Sequence, residues 1–236
     1  MSGSPSKVHT HPAQPFTPAL AHHTFTGLHE TFGKIVLAHI WRAVAANVRK
    51  VIEPRDKVLD VCCGSGNVLE MIKGANRTGI DIDPKQIAKA NRKVKDPSLR
   101  FITASADALP LEDHSVDAAI STLGFHHLPP EVKKKAFEEI RRVLKKGAPF
   151  FLCDLSYPND PFIAWIVSKI HSREPEAGAQ MLERDFYRLA KEVGFTLQTL
   201  QTFYGCVCLH AVQFLEQSEE ESMRPAASLQ EPRMAA

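Results

Sequence analysis

The run Asp60-Val61-Cys62-Cys63-Gly64-Ser65-Gly66-Asn67 places a carboxylate four residues ahead of the first of two glycines. Glycines let the backbone turn tightly and let a ligand approach the main chain at the start of the next helix. A dinucleotide fingerprint requires a third glycine where this chain has Leu69, and the Gly-Lys-Ser/Thr of a P-loop is absent. An acid just ahead of such a turn suits a ligand carrying positive charge, such as an amino group. Asp81, in Gly79-Ile80-Asp81-Ile82-Asp83, can accept from both hydroxyls of a ribose. Asp83 precedes Pro84 and reads as a helix N-cap. Asp107, in Ser105-Ala106-Asp107-Ala108-Leu109-Pro110, can accept from the exocyclic amine of a purine. One acid beside a turn is equally an ordinary capped connection. Three of them at the ends of three successive strands form a specific pattern.

The elements that must hold these acids alternate along the chain. Leu28, Phe32, Val36, Ile40, Val44, Val48 and Ile52 recur every four residues, which predicts an amphipathic helix stopped by Pro54. Strands are predicted over 57–62, 77–81, 99–104, 116–122 and 149–155. Helices are predicted between them over 67–73, 84–94 and 130–145. Helical patterns follow near 161–170 and 182–193, then two strand-like runs, 195–203 and 206–214, joined at Tyr204-Gly205. The expected fold is α/β: a Rossmann-like doubly wound sheet, mostly parallel, closed by a C-terminal antiparallel hairpin strand. In such sheets ligands sit beyond the carboxyl ends of the strands, where strand order reverses.

Composition bounds the rest. The chain has 236 residues, is 44% hydrophobic and 24% charged, and carries a formal net charge of +2. That balance predicts one core-forming domain over 19–215, with a helical segment over 19–53 and disordered tails over 1–18 and 216–236. The charge is too mild to argue for nucleic acid as a partner. Five cysteines, an odd number lying in apolar runs, fit reduced thiols in a cytoplasmic setting. Cys62 and Cys63, as neighbours on a strand, would point to opposite faces, and no metal site is expected. The longest apolar runs, 35–41 and 161–167, fall short of the ~20 residues a membrane span needs. The run Phe162 to Val167 reads as core or pocket wall, with a lid over a lipophilic substrate or a peripheral membrane patch as the alternative. Lys133 to Lys135 with Glu131, Glu138 and Glu139 reads as a solvated helix face.

The stretches VLDVCCGSGN, GIDIDPKQIAKA, ASADALPLEDHSVDAAIS and EEIRRVLKKGAPFFLCDLS resemble the class I S-adenosylmethionine-dependent methyltransferases over about residues 58–214. The resemblance implies S-adenosylmethionine as cofactor. Asp60, Gly64 and Gly66 would cradle its methionyl part, Asp81 its ribose, and Asp107 with the Ala108 backbone its adenine. Cys62, Ile82 and Ser121 complete the implied cofactor set, Cys62 standing where many members have the first loop glycine. The paired cysteines, LCDLSYPNDPF and GCVCLHAVQF are most similar to the ubiquinone/menaquinone biosynthesis C-methyltransferases. That family's Tyr-Asp-containing N-terminal motif is not matched, and the segment between Pro161 and Phe186 is short.

The implied reaction is displacement at a sulfonium methyl, where alignment can supply up to about 7–11 kcal/mol of the barrier. A base is required only where the nucleophile must lose a proton. His126 and His127, just past the fourth strand, are the candidates, with plain packing in the loop as the alternative. The expected acceptor is a small, hydrophobic molecule such as a quinone-precursor ring carbon. Oxygen or nitrogen acceptors, and a silent cofactor-binding subunit, stay open as alternatives. Base methylation of nucleic acid is disfavoured, because Ser121-Thr122-Leu123-Gly124 replaces the Asn/Asp-Pro-Pro-aromatic turn of such enzymes.

Overall fold

A computed structural model of the chain describes residues 28–156, 183–205 and 207–214. The predicted helix near 161–170, the run Phe162 to Val167 and both tails lie outside them. The elements, in order, are α1 (Leu28–Val48), β1 (Lys57–Val61), α2 (Asn67–Met71), β2 (Asn76–Asp81), α3 (Pro84–Lys93), β3 (Leu99–Thr103), β4 (Ala118–Thr122), a 3₁₀ turn (Phe125–His127), α4 (Pro130–Val143), β5 (Phe150–Leu155), α5 (Glu183–Glu192), β6 (Phe195–Phe203) and β7 (Val207–Phe214).

The strands form one sheet in the order β3-β2-β1-β4-β5-β7-β6. The first five pair in parallel, and β7 runs antiparallel between β5 and β6. This is the expected doubly wound sheet with its closing hairpin. Tyr204 and Gly205 turn that hairpin with φ of 51° and 69°. Strand order reverses between β1 and β4, so their carboxyl ends diverge into a crevice where loops from both sides can meet.

Alternation along the central strands buries both faces. Leu59, Val61, Ala119, Phe150 and Leu152 face α4 and α5, against Phe137, Ile140, Leu189 and Val193. Val58, Ala118, Ile120, Phe151 and Cys153 face α1, α2 and α3, against Ile40, Val44, Leu69 and Ile87. Each such large side chain is worth roughly 1.5–3 kcal/mol when fully buried. Asp60 sits in β1 among these apolar neighbours and is 2% exposed.

Several ends differ from expectation. Helix α1 stops at Val48 rather than Ile52, because Lys50 and Val51 donate back three residues, to Asn47 and Val48, in a tightened last turn. Strand β4 starts at Ala118 rather than 116, since Val116 makes only an isolated bridge to Leu144. Strand β1 ends at Val61, so Cys62 is not a strand residue.

Candidate active site

The turn after β1 enters the left-handed region at three places: Cys62 (φ 61°), Gly64 (φ 52°) and Gly66 (φ 78°). Only glycine adopts that region without strain, so Cys62 is held there by its surroundings. The Cys63 N–H donates to the Ile80 carbonyl at 3.0 Å, the Gly64 N–H to Asp81 Oδ2 at 2.7 Å, and the Gly66 N–H to the Cys63 carbonyl at 2.9 Å. A Cβ on Gly66 would lie 2.3 Å from the Phe101 ring, which explains that glycine. A Cβ on Gly64 would meet nothing within 4 Å, so the space above that residue is open. The two cysteine side chains diverge: Cys62 lies against Gly124 on the β4 side, Cys63 against Gly79 of β2.

Under this turn lies an acidic cluster. Asp60 Oδ1 is buried and has no hydrogen-bond partner among the described residues. Burial, and then the charge of Asp81, hold the Asp60 carboxyl well above the usual carboxylate range. Asp81 ends β2, and its Oδ1 accepts from the Asp83 N–H at 2.9 Å. Its carboxyl is also raised, because burial outweighs its two backbone donors. Ile82 beside it is 42% exposed. Asp83 is the N-cap of α3, accepting from the Lys85 N–H at 2.8 Å. Burial first, and then Asp81, Asp60 and Asp154, push the Cys62 thiol upward, so a thiolate nucleophile is not available at neutral pH.

The turn after β3 is tied to this cluster by the Ala104 N–H, which donates to the Asp81 carbonyl at 3.1 Å. Asp107 is half-buried and accepts from the Ser105 hydroxyl. Ala108 is exposed. Helix α4 clamps the following residues: Glu139 accepts from the Leu109 N–H at 2.7 Å, and Arg142 donates to the Leu109 and Leu111 carbonyls at 3.0 and 2.8 Å. The face expected to be solvated is therefore partly structural, with Lys133 itself 2% exposed. Helical periodicity missed this because the partner is a loop, which carries no period.

Within β4, Ser121 is fully buried, and its hydroxyl has no partner among the described residues. Gly124 presses on the β1 turn; a Cβ there would stand 2.3 Å from Cys62 Cβ. Phe125 anchors the 3₁₀ turn, its ring 5.1 Å from Phe137 and 6.4 Å from Phe150. The next two residues are the histidines, with ring centroids 3.8 Å apart. His126 is half-buried and His127 exposed. His126 Nδ1 lies 2.6 Å from Oδ1 of Asp154, at the end of β5. Asp154 was missed by sequence reasoning, although an acid near the end of a strand adjoining the crevice carries the same signal as Asp60 and Asp81. Burial acts to raise its carboxyl, but the His126 ring and backbone donors outweigh that and lower it.

The turns after β1 and β4 and the ends of β2, β3 and β5 thus lie around one crevice. A groove of about 550 Å³ lined by Lys57, Arg77 and Arg100 lies instead at the opposite, amino end of the strands. Residues 58–147 match the methyltransferase domain family. The chain carries a methyltransferase domain. This methyltransferase is 29% identical over 158 residues to an uncharacterized methyltransferase of Synechocystis sp., covering 65% of its own length and 73% of that protein. It is 33% identical over 130 residues to a demethylmenaquinone methyltransferase of Chlorobaculum parvum, spanning 51% of each chain. A solved S-adenosylmethionine-dependent methyltransferase of Methanosarcina mazei shares the fold at a TM-score of 0.57 and 22% identity, over 72% of this methyltransferase and 97% of that chain.

Proposed function

We propose that this chain transfers the methyl group of S-adenosylmethionine to a small, hydrophobic acceptor, with a quinone-precursor ring carbon as the accepting atom. The observation that carries the reading is the unpartnered, buried carboxylate oxygen of Asp60 under a glycine turn anchored by Asp81. A buried anion of this kind fits a ligand that brings a donor and a positive charge. Asp60 and the turn residues Cys62, Gly64 and Gly66 receive the methionyl part, with the open space over Gly64 admitting it. Asp81 receives the ribose hydroxyls on the lone pairs its backbone donors leave free. Ile82 offers apolar surface beside the ribose, Asp107 and the Ala108 backbone meet the adenine, and Ser121 offers an unpartnered hydroxyl from β4.

When bound, the cofactor supplies a methyl group on a positively charged sulfur, open to direct displacement. The protein's part is to hold the acceptor in line and exclude water. A ring carbon becomes nucleophilic when its neighbouring hydroxyl loses a proton, and His126 stands at the crevice as the base, with His127 beside it. The carboxylates of Asp60, Asp81 and Asp154 disfavour an anionic acceptor, which supports a neutral, apolar one. The likeness to a demethylmenaquinone methyltransferase supports the choice of a quinone-type ring. Among the described residues no helix is long and apolar enough to cross a membrane. We propose peripheral association as the route to a lipophilic acceptor.

Calorimetry with S-adenosylmethionine and with NAD tests the cofactor reading: the first binds and the second does not. Binding of NAD alone overturns it. Incubating the protein with a cell extract and an isotopically labelled methyl donor identifies the acceptor, and label appearing only outside quinone-type rings removes the substrate assignment.

A further inference from the structure

We infer that Asp154 is a positioning residue: it holds His126 with the ring proton on Nδ1 and so turns the basic nitrogen, Nε2, toward the acceptor. The inference rests on the proposed transfer to a hydroxyl-bearing ring. Asp154 is 3% exposed on its side chain, and His126 12%. A carboxylate can only accept, so the 2.6 Å contact requires that Nδ1 donate. The lone pair of a neutral imidazole is then on Nε2, which has no hydrogen bond to any described residue.

The geometry is over-determined in a way a chance contact is not. Asp154 Oδ2 accepts from the backbone N–H of His126 at 3.2 Å, so the carboxylate grips both the ring and the main chain of the same residue. Its Oδ1 also accepts from the Leu155 N–H at 2.7 Å, which fixes the carboxylate plane. From the other side Phe125, fully buried, pins the turn to the aromatic core. The side chains that meet the His126 ring are Asp154 from β5 and His127, its ring centroid 3.8 Å away. The arrangement is a buried carboxylate orienting a histidine, a relationship recognised by geometry and not by chain order.

In the step itself the acceptor O–H bond breaks and the Nε2–H bond forms. The ring carbon–methyl bond forms as the sulfur–methyl bond breaks, its electron pair remaining on sulfur. The imidazolium then returns its proton to oxygen as the methylated ring carbon releases its own to water. Asp154 stays ionised throughout and stabilises the imidazolium.

The test is ¹H–¹⁵N spectroscopy of the full chain with S-adenosylhomocysteine present. His126 is expected as the Nδ1–H tautomer. In Asp154→Asn, which preserves size, that tautomer preference should be lost. Affinity for S-adenosylhomocysteine, read by calorimetry, should stay within about twofold, which separates the effect from misfolding. With 1,4-dihydroxynaphthalene as probe acceptor, Asp154→Asn should lower kcat at least tenfold. An Nε2–H tautomer in the parent chain, or an Nδ1–H preference retained in Asp154→Asn, overturns the positioning role. Full-rate transfer by His126→Gln, by contrast, overturns the base reading on which it stands.

Discussion

Asp81 holds the glycine turn of the neighbouring strand: its Oδ2 accepts the Gly64 N–H at 2.7 Å, while its Oδ1 takes the Asp83 N–H at 2.9 Å. One side chain therefore shapes the loop for the methionyl part and stands where the ribose is proposed to lie. Replacing it removes a charge-assisted contact worth roughly 1.5–3 kcal/mol. Asp81→Ala should weaken S-adenosylmethionine binding tenfold or more by calorimetry. Asp81→Asn, which keeps one acceptor oxygen, should fall between. Unchanged affinity in Asp81→Ala would take this residue out of the site.

Asp60 should trade stability for binding. Its folded carboxyl binds a proton more tightly than the unfolded one, since its acidity is depressed by burial and then by Asp81. Stability is thus present below the ordinary carboxylate range and declines as pH rises through the folded value. Asp60→Asn should flatten that decline and raise the melting temperature of the ligand-free protein at neutral pH. The same variant should bind S-adenosylmethionine at least tenfold more weakly. Thermal melts across pH, paired with calorimetry, check both signs.

Gly124 and Cys62 should behave as a coupled pair. In Gly124→Ala the new Cβ lands 2.3 Å from Cys62 Cβ, so the turns after β1 and β4 must part. We expect a loss of about 1–3 kcal/mol in chemical denaturation together with weaker cofactor binding. Adding Cys62→Gly removes the clashing atom and relieves the left-handed residue, and should restore most of both losses. Additive losses in the double variant would refute the contact.

Arg77 secures the helix that follows the glycine turn. Its guanidinium is 1% exposed and donates to the carbonyls of Leu69, Ile72 and Ala75, at 3.1, 2.5 and 3.2 Å, and to Asp96 and Ser98. Arg77→Met removes the guanidinium from all three carbonyls, of which Leu69 keeps the Ile72 N–H at 3.2 Å. A stability loss of about 2–4 kcal/mol in urea denaturation is expected. A loss below about 0.5 kcal/mol would mean water replaces the guanidinium.

Much of this was written locally. The strand and helix periods, the glycines of the first turn, Asp83 before Pro84 and the Tyr204-Gly205 turn are properties of short segments, and the chain alone determined them. The acids at the ends of β1, β2 and β3 were legible for the same reason, because a strand end is a local event. What tertiary structure decided were relations between segments far apart in sequence. It brought Asp154 of β5 to His126 after β4, a pairing that exists only because those strands are neighbours in the sheet. It seated Glu139 and Arg142 of α4 on the loop carrying Asp107, where periodicity suggested only solvent. It also set Cys62 against Gly124, where φ of 61° and a missing Cβ are each explained by the other loop. Local patterns report which backbone state a segment prefers; which side chains meet across a crevice depends on strand order, and no single segment encodes that.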